Sequence, residues 1–253
     1  MSGLRTAGIV AWNTFQDNLR SRYYLLCLVF GAVVLYVSLL LGLLAADQEA
    51  RVVLDFGLSL IELLGLAAAV YGAATIVLRE METKTIYLIL TRPVSRAQYL
   101  LGRFAGLMMS TGAVMLAMAA LHLPILFWKG WHWSWLYPAA VAGSFLKLLV
   151  TAALTLFLAL ASSSILTALV ITMILWTLGH FLPEIRFMIR WNSQGSISVP
   201  LTALSYVVPD LQLLNLRDVW EKPLSAARPL AYAAAYAGAW LSLAALRLRR
   251  KEF

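Results

Sequence analysis

Few side chains in this sequence could do chemistry, and most of them stand inside apolar runs. Asp55, Ser59 and Glu62 recur at i, i+4 and i+7, which places them on one face of a helix. Lys147 lies in a separate apolar run. At 1.5 Å per residue Glu62 falls about 9 Å along its run and Lys147 about 13 Å along its own, both counted from the same side of the bilayer. Charges at that depth are costly if they face lipid. Either the two pair across neighbouring helices, or Glu62 is protonated and Lys147 snorkels its amine outward. A substrate or ion role for Glu62 is a third reading, and the sequence leaves all three open.

Other chemistries fail on spacing. His122, His132 and His180 share no metal-ligand interval, and Met108, Met109, Met115 and Met118 read as filler of an apolar helix rather than as a copper site. Ser162 to Ser164 with His180 suggests a serine hydrolase, but a helix of about 25 Å separates them. Cys27 is the sole cysteine, and alone it makes neither an intramolecular disulfide nor a metal site. No catalytic, cofactor-binding or metal-binding residue is expected in this chain.

The elements that carry these residues follow from composition. Of 253 residues 62% are apolar and 13% charged, with a mean hydropathy of +0.81. Soluble domains carry about 45–50% apolar and 25% charged residues, so a soluble enzyme and a disordered chain are both excluded. Runs of about 20 apolar residues each cross a bilayer. Six are expected, over residues 24–46, 56–78, 104–128, 138–161, 165–182 and 229–246, giving an all-α polytopic membrane protein. The first run is too long and begins too late for an ordinary cleaved signal peptide.

Six spans place both termini on one side. The N-terminus, the 79–103 loop, the 162–164 turn and the C-terminus hold Arg5, Arg20, Arg22, Arg79, Lys84, Arg92, Arg96, Arg103, Arg247, Arg249, Arg250 and Lys251 against Asp17, Glu80, Glu82 and Glu252. These segments account for the whole formal charge of +8. By the positive-inside rule that face is cytoplasmic. A nucleic-acid partner loses its support, because the positive charge is explained by topology. Residues 1–22, with Leu4, Gly8, Trp12, Phe15 and Leu19 at helical spacing, are expected as an interfacial helix on the inner surface. Residues 183–228 are too polar, and too broken by Pro200, Pro209 and Pro223, to cross. Short helices at the outer interface are expected there, anchored by Trp191 and Trp220, with Trp131, Trp133 and Trp135 as a second outer anchor. The small residues Gly65, Ala69 and Ala73, and Ala234 and Gly238, suit close helix approach within the chain or in a dimer.

The most informative stretch is the inner loop, REMETKTIYLILTRPVSRAQYLLG. Glu80 and Lys84 favour a short helix by an i,i+4 pair. Arg92 precedes a proline and ends it. Ser95 and Gln98 then match a capping box that starts a new helix. Helix, proline corner and capped helix make a rigid protrusion suited to transmitting force.

This loop resembles that of the permease subunits of type-2 ATP-binding-cassette exporters, whose pattern E-x-E-x-x-T-x-x-x-x-L-x-x-P-V-S-R-x-x-Y-L-L-G-[KR] follows the second of six spans. Onto it fall Glu80, Glu82, Thr85, Leu90, Pro93, Val94, Ser95, Arg96, Tyr99, Leu100, Leu101, Gly102 and Arg103. Lys84 stands where glycine is common, and Arg103 where lysine is usual. The resemblance implies that the loop is a cytoplasmic coupling helix seated in a groove of a separate ATPase. It implies two copies of that ATPase, which bind the ATP and magnesium, and a second permease, identical or paralogous. The absence of a G-x-x-x-x-G-K-[ST] loop from this chain agrees with that division. Membrane lipid and an outer-side protein complete the expected partners. The implied function is ATP-driven export of an unidentified substrate. The alternatives are a mechanotransmitter that drives the outer-side partner without moving substrate, and a membrane anchor or enzyme that needs no ATPase.

Overall fold

The long apolar runs fold as helices, because a helix alone satisfies its own backbone groups in lipid. The computed structural model describes residues 3–43, 48–82, 95–191, 207–216 and 227–250, with positions 202 and 205. Helix α1 spans Gly3–Arg20, α2 Arg22–Leu43, α3 Glu49–Glu82, α4 Arg96–Trp128, α5 Leu136–Ser162, α6 Ile165–His180, α7 Leu182–Trp191 and α8 Ala227–Arg250. A 3-10 turn covers Gln212–Leu214. No strand occurs among the described residues.

Five of these helices are long and apolar enough to cross a membrane. The expected fifth span differs. Its helix α6 is 16 residues long, about 24 Å at the helical rise, short of a hydrocarbon core of about 30 Å. Past Phe181 the chain turns by 63° into α7, and the bent pair counts as a sixth crossing only when taken together. Helix α3 departs in the other direction. Its 34 residues run beyond the apolar stretch at both ends, carrying Asp55 near one end and Glu80 at the other. Helix α4 begins at Arg96, where the expected capping box starts it, and runs on through the third apolar run.

Helices α3 and α5 form the centre. Helix α5 packs on α3, α6 and α8, α3 also on α2 and α4, and α1 lies along α4. Ala69 and Ala73 are fully buried, and a Cβ at Gly65 would stand 2.7 Å from Leu148 Cδ1, so the small-residue face of α3 is used for close approach. Ala234 and Gly238 of α8 are exposed, and nothing among the described residues comes within 4 Å of a Cβ at Gly238.

The described part of residues 183–228 packs against the long helices. Val208, Leu211 and Leu214 are buried, the two leucines packing with Val150 of α5 and Ala233 of α8. The N-H of Leu211 donates to Gly179 O (3.3 Å). Trp191 is exposed at the end of α7, whereas Trp220 lies outside the described residues. The turn between α5 and α6 is closed by Ser163 in the left-handed region (φ 55°), whose N-H reaches Ala159 O at 2.9 Å, and by Ser164, which caps α6.

Candidate coupling end and intramembrane ion cluster

The chain leaves α3 at Glu82 and re-enters described structure at Ser95. Thr85, Leu90, Pro93 and Val94, and with them the expected coupling helix, lie outside the described residues. Helix α3 is continuous through Arg79, Glu80 and Glu82. Ser95 is extended and makes the reciprocal box with Gln98: Gln98 N-H donates to Ser95 Oγ, and Ser95 N-H to Gln98 Oε1, each at 3.2 Å. Two orphan donors of the helix start are thereby satisfied.

Around this start Arg96, Tyr99, Leu100, Gly102 and Arg103 turn toward the neighbouring helices, whereas Leu101 is exposed. Arg103 pairs with Glu80 of α3 and donates from Nη1 to Thr14 Oγ1 of α1 (3.1 Å). Its guanidinium lies 5.7 Å from the centroid of the Tyr99 ring, itself 1% exposed. Arg96 donates to the carbonyls of Leu248 (3.1 Å) and Arg249 (3.2 Å), satisfying last-turn acceptors of α8. Gly102 and Gly106 bring α4 against α1 so closely that a Cβ would stand 2.7 Å from Ala7 O and 2.4 Å from Ala11 O, respectively. Further along, Asn18 donates to Ser110 Oγ (2.9 Å), and Ser110 to Tyr24 OH (3.2 Å). Arg96, Tyr99, Gly102 and Arg103 thus bind the ends of α1, α3, α4 and α8 to one another.

The same geometry shows which face of α1 meets the rest of the protein. Ala11 and Thr14 are buried against α4, while Ile9, Trp12 and Leu19 are more than 40% exposed. The sequence reading missed Gly106, Thr14 and Asn18. A signal existed in the four-residue interval from Gly102 to Gly106 and in Ala7, Ala11, Thr14 and Asn18 at matching spacing.

The second constellation lies between α3, α5 and α6. Lys147 Nζ stands 2.9 Å from Glu62 Oε1 and 3.1 Å from Oε2. Ser144, one turn earlier on α5, donates to Glu62 Oε2 at 2.7 Å. His180 Nε2 stands 3.7 Å from Glu62 Oε1. The side chains of Lys147 and Glu62 are 7% and 14% exposed, so the pair is largely removed from solvent. Asp55, on the same face of α3, is exposed and does not join it; its carbonyl accepts from Ser59 Oγ (2.7 Å). The reading of Lys147 as snorkelling away from Glu62 does not describe this geometry.

His180 is the member that sequence reasoning missed. It is the last residue of α6, with its Nδ1 3.0 Å from Trp176 O and its own carbonyl 3.4 Å from Gln212 Nε2. The cluster therefore ties the α3–α5 pair to the point where α6 bends into α7. Beyond that bend Arg186 Nη1 pairs with Asp210 Oδ2 at 2.6 Å, and Asp210 N-H donates to Tyr232 OH of α8 (2.8 Å). Chemically the cluster is a neutralised ion pair with a polar fringe. No three His, Cys, Asp or Glu among the described residues could share a metal ion. His122 is a fully buried core residue, with ring nitrogens 3.2 Å from Tyr137 OH and from Val53 O.

No curated protein matches this sequence. A family model described as "ABC-2 family transporter protein" matches residues 9–187. The matched region runs from α1 into α7 and takes in well over half of the chain, including Glu62, Lys147, His180 and the contacts of Arg103 with Glu80 and Thr14, while the α8 carbonyls that Arg96 reaches lie beyond it. The chain therefore belongs to the ABC-2 transporter family and is a multi-pass membrane permease of that type.

Proposed function

We propose that this permease works as an exporter driven by separate ATPase subunits, which seat residues 83–94 and bind ATP and magnesium. The observation that carries the reading is the convergence of four helix ends beside that segment through Arg103–Glu80, Arg103–Thr14, Arg96–Leu248 and the Gly102–Gly106 contact with α1. A push on the loop would reach α1, α3, α4 and α8 together instead of bending one helix. In this reading Pro93, Val94 and Leu90 meet the ATPase, and Arg96, Tyr99, Gly102 and Arg103 pass the movement on. The functional unit holds two permeases, identical or paralogous, and two ATPases in a bacterial inner membrane, with both termini cytoplasmic.

The test is copurification of the permease with an ATPase carrying a phosphate-binding loop, followed by ATPase assays in vesicles. Pro93→Ala is expected to weaken capture of the ATPase. Arg96→Ala is expected to leave capture intact and uncouple ATP hydrolysis from flux. Recovery of the permease with no ATPase bound would overturn the reading.

A second reading follows from the chain of contacts beyond the bend, His180 to Gln212 and Arg186 to Asp210 to Tyr232, which links α6, the outer segment and α8. Here the complex drives an outer-side protein and moves no substrate. ATPase stimulation by such a protein, without flux, would select it.

A further inference from the structure

Helices α4 and α5 are consecutive, yet they pack mainly on other helices and leave an apolar cleft between their halves nearest the 129–135 connection. Its volume is about 540 Å³, within the range of ligand pockets. One wall carries Leu116, Ala120 and Leu123 of α4, the other Val141, Ala142 and Phe145 of α5. From Gly112 to Leu123 it extends about 16 Å along α4 at the helical rise. That is about half of a hydrocarbon core of some 30 Å, or one leaflet.

Both ends are defined. In mid-membrane the Phe145 ring lies over Gly112, where a Cβ would stand 3.2 Å from Phe145 Cε2. At the other end Trp133, Tyr137 and Pro138 form the mouth. Trp133 is held edge-on between Trp131 and Trp135, with centroids 6.3 and 6.1 Å away, and Trp131 packs on Tyr137 at 5.9 Å. Aromatic groups of this kind mark the headgroup level.

We infer that the cleft is a binding site for one acyl chain of a bilayer phospholipid, taken from the leaflet on the side of the 129–135 connection. Three features select that occupant. The site starts at the aromatic belt, runs one leaflet deep and stops. Its lining is almost wholly apolar: the Tyr137 hydroxyl already donates to Ala119 O (3.1 Å) and lies 3.2 Å from a ring nitrogen of His122, which leaves the Trp133 indole at the mouth as the polar edge. A helix from a second copy is 10–12 Å wide and would continue through both leaflets, where Phe145 blocks the way. An acyl chain enters from the side, leaves its headgroup among Trp133 and its neighbours, and ends against Phe145.

The experiment reconstitutes the full chain in phosphatidylcholine vesicles doped with phosphatidylcholine bearing a photoactivatable diazirine on one acyl chain, and maps the adducts by mass spectrometry. Peptides covering 116–123 and 141–145 are expected to label roughly tenfold above the exposed face of α2 around Leu26 and Val33, equivalent to about 1.4 kcal/mol of preference over bulk lipid. Ala142→Trp and Ala120→Phe, both at exposed positions that fill the cleft, are each expected to abolish the excess and leave α2 labelling unchanged. Equal labelling of the cleft and α2, or an excess that survives both substitutions, would overturn the site. Efficient disulfide dimerisation of Leu116→Cys through this face would also overturn it, by making a second copy the occupant.

Discussion

Lys147 is held by one carboxylate, and this dependence makes the pair testable. Removing one partner of a buried ion pair leaves an uncompensated charge and costs about 3–5 kcal/mol, whereas removing both is often close to neutral. Lys147→Met alone is therefore expected to lower the midpoint of thermal unfolding in detergent, and Glu62→Gln with Lys147→Met to recover most of the loss. If Lys147→Met unfolds at the parent temperature, the pair contributes nothing to stability. Glu62 and Lys147 were legible in sequence because counting residues from the ends of two apolar runs put them at similar depth. His180 was not legible. It stands at the far end of a third run, where α6 stops at the bend into α7, and no spacing within that run shows that this end lies beside Glu62. Asp55 shares the helical face of Glu62, as its spacing implies, but stands about two turns nearer the start of α3, where it is exposed.

At the scale of elements, helical spacing reveals a face without naming its partner. Gly65–Ala69–Ala73, Ala234–Gly238 and Gly102–Gly106 look alike in sequence. The first packs on α5, the second is exposed with open space around Gly238 among the described residues, and the third seats α1. Gly106→Val is expected to force α1 away from α4, since even a Cβ meets Ala11 O at 2.4 Å and Thr14 Cβ at 2.6 Å. Overpacking of this kind costs about 1–3 kcal/mol. Limited proteolysis of α1 should quicken, and unfolding should shift down. Gly238→Ala, with open space around it, should leave stability unchanged or raise it by up to about 1 kcal/mol through helix propensity. If both substitutions behave alike, the close approach of α1 is not what holds it. Ser95 with Gln98 was the local signal that specified itself fully, because a capping box contains both of its partners within four residues. By contrast, Arg96 reaches α8 and Arg103 reaches α1 and α3 across separations that no local pattern encodes.

For the whole molecule, the number of crossings decides where the charge lies. The helices α2, α3, α4, α5 and α8 cross by length and composition, and α6 with α7 crosses only if the bent pair spans together. With six crossings Arg5 and Arg249 share a face, and the entire +8 gathers there. With five, the basic stretch Arg247, Arg249, Arg250 and Lys251 moves to the face opposite Arg5, Arg20, Arg22, Arg79 and Arg103, against the positive-inside rule. Cys27 is 8% exposed in α2, so replacing it by alanine gives a cysteine-free background at small cost. Single cysteines at Arg5, His132 and Arg249, all exposed, can then be labelled with a membrane-impermeant maleimide in sealed vesicles of known orientation. Arg249 suits replacement, because Arg96 binds its carbonyl and not its side chain. Arg5→Cys and Arg249→Cys are expected to react from the cytoplasmic side and His132→Cys from the other. Were Arg249→Cys to label together with His132→Cys, α6 and α7 would form a re-entrant hairpin and the chain would cross five times. The ion cluster at His180 would then close a loop that dips into the membrane, whereas with six crossings it braces a kinked span. The labelling pattern therefore decides what breaking the Glu62–Lys147 pair would release.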